Sequence, residues 1–139
     1  WPDINTLGVA ATEAAYKYGG EWFDQVNAYM DETHQFIEDY IAAHMPLVGY
    51  TRNEGTYMTF IDFSQVIAKL GPEELRAKYD RITTEEAFQD WLVYNTGVYA
   101  NPGSMYGSGG EGHMRFNIAS SRIVMKEVFD SMAAAINKV

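Results

Sequence analysis

The sequence predicts an α+β domain, a small and mainly antiparallel sheet packed with helices. Apolar residues recur at helical spacing near both ends of the chain, short β-branched and aromatic segments lie between them, and glycine or proline punctuates the joints. At 139 residues the chain has room for one modest core, so residues 1–139 are read as a single domain.

The elements follow in order. Residues 6–18 are rich in alanine and read as a helix, with Gly19-Gly20 marking its end. A longer amphipathic helix is predicted from Glu21 to His44, with Trp22, Val26, Tyr29, Met30, Phe36, Ile37, Tyr40 and Ile41 on one face. Pro46 stops it. Residues 47–52 then read as a strand, Asn53-Glu54-Gly55 as a turn, and residues 56–63 as a second strand, so a β-hairpin is the simplest account. Residues 64–70 and 72–79 are short helical or loop segments separated by Gly71. Thr83 followed by Glu86 is a capping-box pattern that opens a helix running to Asn95 and burying Phe88, Trp91 and Leu92. Residues 98–100 read as a short strand and residues 114–119 as the last one. A closing helix from Ser121 is expected to bury Val124, Val128, Met132, Ala135 and Ile136.

Composition excludes several function classes. The formal net charge of −9 opposes binding to nucleic acid or to an anionic membrane surface. No apolar run is long enough to span a bilayer, and the N-terminus shows no basic-then-apolar leader pattern. With no cysteine, the chain has no disulfide, thiol nucleophile or thiolate metal site, which fits a cytoplasmic protein. The opening Trp1-Pro2-Asp3, without methionine, suggests processing or a fragment of something longer.

Residues 101–119 are the most informative stretch. Five glycines within residues 103–112 make a loop able to lie against a ligand or a neighbouring backbone. It lacks the lysine of a phosphate-binding loop and leads into a strand rather than a helix. That strand carries Arg115 among apolar neighbours, where an unpaired guanidinium is costly. On pattern alone, a structural pairing with Glu111 or Asp62 is the simpler account; a bound carboxylate is the functional one. His34 and His44 are ten residues apart, not at a spacing that aims both at one ion, and His113 precedes the last strand, so no metal site is expected. Ser120-Ser121 reads as a helix cap rather than a nucleophile.

Four blocks in order carry a family resemblance. They are residues 7–16 with Gly19-Gly20-Glu21-Trp22, residues 54–62, the glycine loop, and Arg115-Phe116-Asn117-Ile118-Ala119. Together they resemble the C-terminal small domain of pyridoxal-phosphate (PLP) enzymes of the aspartate aminotransferase fold, most closely the carbon–sulfur lyases of the cystathionine β-lyase kind. Ala119-Ser120-Ser121-Arg122 departs from the Ala-Cys-Pro-Arg expected in relatives.

The resemblance implies that Arg115 binds the substrate α-carboxylate, that Tyr106 contacts the mouth of the site, and that Thr56 and Tyr57 shape it. It places the PLP lysine and the other cofactor-binding residues in a large domain earlier in the same polypeptide. None of Lys17, Lys69, Lys78, Lys126 or Lys138 lies in the family's lysine motif, so this chain is expected to hold no catalytic or cofactor-binding residue and not to bind PLP tightly alone. The implied parent is a homodimer that cleaves the Cβ–S bond of cystathionine or a related sulfur-containing amino acid. Two alternatives stay open: the same domain of an aminotransferase, and a standalone, non-catalytic binding or interaction domain.

Overall fold

A computed structural model describes residues 5–139. The opening Trp1-Pro2-Asp3 lies outside the described residues. The chain forms two compact units, Trp1–Glu32 and Thr33–Val139.

The first unit holds helix α1, Thr6–Tyr18, and the first half of α2, Gly20–His44. The Asn5 side chain caps α1 by accepting from the Leu7 N–H at 3.0 Å. Gly19 alone breaks the two helices, and Gly20 already belongs to α2. No residue of α1 is buried, and Trp22 is 68% exposed. The fully buried residues of α2 are Thr33, His34, Ile37 and Ile41, whereas Val26 and Met30 of the expected apolar face are half-buried and Trp22 and Tyr29 are exposed. Periodicity marks an apolar face but does not say what packs on it.

The second unit is built around a four-stranded antiparallel sheet in the order β1-β2-β4-β3. Its strands are β1, Gly49–Tyr50; β2, Met58–Asp62; β3, Asn101–Pro102; and β4, His113–Asn117. The expected hairpin is present as β1 against β2, with Gly49 opposite Asp62. Beyond β2 come the short helices α3, Ser64–Leu70, and α4, Pro72–Tyr79, then α5, Thr84–Thr96, and the closing α6, Arg122–Ile136. Thr83 and Glu86 form the capping box of α5, and Ser121 caps α6 by accepting from the Val124 N–H at 3.3 Å.

Side chains alternate across the sheet with the two-residue period of a strand. Thr59 and Ile61 of β2 and Met114 and Phe116 of β4 point into the core, where they join Phe63, Phe88, Leu92, Phe129 and Ile136. Each fully buried side chain of this size stabilises the fold by ~1.5–3 kcal/mol relative to exposure. Phe88, Trp91 and Leu92 of α5 are buried, as their spacing predicts.

Two expectations are corrected. The strand predicted at 98–100 instead lies at Asn101–Pro102. The Thr96 hydroxyl accepts the Val98 N–H at 3.1 Å and the Gln89 amide donates to the Ala100 carbonyl at 2.6 Å, so side chains satisfy that backbone in place of a ladder. The buried face of α6 is Met125, Phe129, Met132, Ala133 and Ile136, and Val124 is exposed. The face is displaced because Phe129 inserts between Phe36 and Tyr40 of α2, with ring centroids 6.3 and 5.7 Å away.

Candidate functional site

The face of the sheet opposite the core carries the candidate site. Arg115 stands on β4 between two partners, Phe60 on β2 and Asn101 on β3. The next pair along is Asp62 with His113, and Met58 with Asn117 lies on the other side. Register therefore places Arg115, Phe60, Asn101, Asp62 and His113 on one open surface.

After β3 the chain makes a single 3-10 turn, Gly103–Tyr106, before the glycine loop. This turn lays the Tyr106 ring over the Arg115 guanidinium, 4.1 Å from its central carbon. Tyr106 also meets the Phe60 ring edge-on at 5.9 Å. The guanidinium thus lies over an aromatic face, a contact worth ~0.5–2 kcal/mol. The loop itself is closely packed at its base. A Cβ on Gly103 would strike the Gly110 carbonyl oxygen and come within 2.8 Å of the His113 carbonyl oxygen. Backbone therefore lies against backbone there, which only glycine permits. A hollow of about 290 Å³ opens between the loop and the sheet, lined by Phe60, Tyr106, Ser108, His113 and loop glycines.

Arg115 makes no ion pair and no hydrogen bond with a described residue, and its Nε is buried without a partner. Both carboxylates that could have paired with it are engaged elsewhere. Glu111 accepts from the Gly109 N–H at 2.9 Å, and Asp62 accepts from the Ser64 N–H at 2.8 Å. Burial pushes the Asp62 carboxyl up, but its bonds from Ser64 and the charge of His113 outweigh that and hold it below the ordinary carboxylate value.

The structure brings Tyr106 to Arg115 but does not join Thr56 or Tyr57 to them by any hydrogen bond or ring contact. Both precede β2 and are solvent-exposed. Thr56 adopts a left-handed φ of 72°, rare for a β-branched residue. The Asn53 amide braces that turn by donating to the carbonyl oxygens of Gly55 and Met58.

Elsewhere the chemistry is structural. His34 is buried and shares a 2.6 Å hydrogen bond with the Tyr50 hydroxyl. Among the described residues there is no group of three or more potential metal ligands, and no helix is long and apolar enough to cross a membrane. A hollow of about 490 Å³ beside α4 and α5 contains Arg81, but that guanidinium is already paired with Asp90 at 2.6 Å. Phe60, Asn101 and His113 were not legible as neighbours of Arg115, because cross-strand register cannot be read from one strand alone; Asp62, expected as a possible pairing partner, shares its face but bonds to Ser64 instead.

No protein-family model matches the chain. The cystathionine β-lyase PatB of Bacillus subtilis is 28% identical over 134 residues, covering 96% of this chain and 31% of that protein. A PLP-bound C–S lyase from Staphylococcus hominis superposes with a TM-score of 0.76 at 26% identity, over 98% of this chain and 32% of that one. An aspartate aminotransferase from Rhizobium meliloti shares the fold, with a TM-score of 0.74 at 23% identity over 92% of this chain and 30% of that one. The chain spans about a third of the length of the curated relatives it matches. The chain is therefore similar in sequence to cystathionine β-lyases, and its fold is that of a part of the PLP-dependent aminotransferases and C–S lyases.

Proposed function

We propose that this chain is the C-terminal small domain of a PLP-dependent carbon–sulfur β-lyase and that Arg115 binds the substrate α-carboxylate. The observation that carries the proposal is a guanidinium on an open sheet face, covered by Tyr106 and without an anionic partner among the described residues. A carboxylate fits its planar fork of donors, and the pairing would fix the substrate's orientation rather than move a proton.

The residues present do not fit a PLP-holding site. Lys17 and Lys126 are paired with Glu13 and Asp130, Lys78 lies over the Tyr79 ring, and Lys69 and Lys138 are exposed. No lysine lines the hollows beside Arg115. The cofactor and its lysine are therefore assigned to a large domain of the same polypeptide, in keeping with the span of the relatives. When bound there, PLP supplies the electron sink for chemistry at the substrate Cα. What this chain supplies is the anchor at Arg115, the aromatic cover at Tyr106, and an apolar floor at Phe60. Thr56 and Tyr57 are assigned to the outer rim. The net reaction breaks the Cβ–S bond and, with uptake of water, yields pyruvate, ammonia and a thiol. The parent is assigned as a cytoplasmic homodimer.

An aminotransferase is the second reading, since the same fold occurs in the aspartate aminotransferase and Arg115 would serve it equally. The full reading frame that contains this chain, expressed with PLP and given L-cystathionine, separates the two. Pyruvate release that is lost on Arg115→Ala supports the lyase. Amino-group transfer to a keto acid without thiol release supports the aminotransferase.

A further inference from the structure

On the side of the sheet away from Arg115, a buried polar pair reaches the turn that leads into β2. His34 of α2 is 3% exposed; its Nδ1 lies 2.6 Å from the Tyr50 hydroxyl of β1, and its Nε2 lies 3.4 Å from the Thr56 carbonyl oxygen. Tyr50 stands opposite Ile61, a core residue, which puts its side chain on the core face. The proposed reaction makes no use of this imidazole.

Its partners fix where the ring hydrogen sits. A backbone carbonyl only accepts, so the neutral ring carries its hydrogen on Nε2 and donates it to Thr56. The other tautomer would set two lone pairs against each other in a buried place. Nδ1 is then the acceptor, and the Tyr50 hydroxyl donates to it. Burial pushes the Tyr50 ionisation up, so that hydroxyl keeps the hydrogen it donates.

The turn needs such a hold, because the left-handed φ of Thr56 persists only where its surroundings impose it. Three groups do so. The Asn53 amide donates to the carbonyl oxygens of Gly55 and Met58 from within the turn, and the Ile118 N–H donates to the Tyr57 carbonyl at 2.9 Å from the end of β4. His34 is the one that comes from a helix.

We propose that His34 is a positioning residue: its Nε2–H ties the Thr56 turn to α2 and so sets where Thr56 and Tyr57 stand at the rim of the substrate site. The inference rests on the reading of Arg115 as the carboxylate anchor with these two residues at the rim. It makes a side chain that touches no substrate govern KM.

The test uses the full-length enzyme loaded with PLP, following pyruvate from L-cystathionine and, separately, tryptic cleavage after Arg52, which leads into the turn. His34→Asn keeps an acceptor near the place of Nδ1 for Tyr50 but is too short to donate to Thr56, whereas His34→Gln keeps a donor near the place of Nε2. Thermal unfolding checks that both variants fold. His34→Asn should raise KM by ~5-fold with kcat unchanged, and quicken cleavage by a similar factor, as loss of one net hydrogen bond implies. His34→Gln should return both to within ~2-fold of wild type. A Gln variant as impaired as the Asn variant overturns the proposal, and so does an Asn variant with wild-type KM, whether or not cleavage quickens. Arg115→Ala separates the two readings. If it spares activity, the carboxylate anchor falls and takes this inference with it; if it abolishes activity while His34→Asn leaves KM unmoved, only this inference falls. No pyruvate from the wild-type enzyme overturns the lyase assignment and the inference together.

Discussion

A guanidinium that is half-covered and has no ion pair among the described residues is an expensive thing for a fold to keep, and among them Arg115 is held by a ring rather than by a charge. If its partner is the substrate, Arg115→Lys should lower kcat/KM for every amino-acid substrate of the full-length enzyme by ~10²-fold, since a point charge replaces a bidentate fork. Tyr106→Phe should keep most of the wild-type KM, whereas Tyr106→Ala should raise it several-fold, because only the latter removes the face over the guanidinium. Thr56 offers a contrasting case. Thr56→Gly should raise the free energy of unfolding by ~1 kcal/mol in a denaturant titration, because glycine accepts the left-handed φ at no steric cost. At this scale the sequence was partly legible. Arg115 stood out as a charge on an apolar strand, and its carboxylate-binding role is a proposal drawn from the family resemblance. That neither Glu111 nor Asp62 pairs with it was not legible, because their local bonds to Gly109 and Ser64 depend on loop geometry.

Among the elements, the glycine loop is a rigid support rather than a loose flap at its base. Gly103→Ala should cost ~1–3 kcal/mol in a denaturant titration, since the added methyl meets two carbonyl oxygens and the chain must shift. The same shift would move Tyr106, three residues on, so the substitution should also raise KM. A second element-level test concerns α2 and α6. Tyr40 donates to Asp130 at 2.5 Å, and burial, followed by that bond and the Asp130 charge, pushes its ionisation up to about 12. An unfolded tyrosine ionises near ~10, so protonated Tyr40 stabilises the fold fully below that pH, and the contribution is lost as pH rises toward 12. Wild-type protein should therefore lose stability across this interval more steeply than Tyr40→Phe, as followed by urea midpoints. Helix positions were the most legible part of the sequence. The caps at Thr83 and Ser121 fixed two starts, and Gly71 and Pro72 separated α3 from α4. The buried face of α6 was not, because Val124, Met125, Val128 and Phe129 offer two apolar faces, and only the α2 aromatics decide between them.

For the whole molecule, the α+β class followed from periodicity, but the sheet order did not, since β1-β2-β4-β3 rests on pairing between strands separated by three helices. The chain also leaves large apolar side chains open, among them Leu7, Tyr16 and Trp22 in the first unit. Surface of this kind is normally covered by a partner. The isolated 139-residue chain is accordingly expected to self-associate, with a sedimentation coefficient that rises with concentration; a monomer across the accessible range would contradict this.

The form of that association is set by the sheet edges. Both outer strands, β1 and β3, are only two residues long, and Pro102 removes an N–H from one of them. A template so short and so poor in donors disfavours addition of a further strand at either edge of the folded sheet. Concentrated solutions of this chain should then yield helix-mediated oligomers that dissolve on dilution and leave thioflavin T dark.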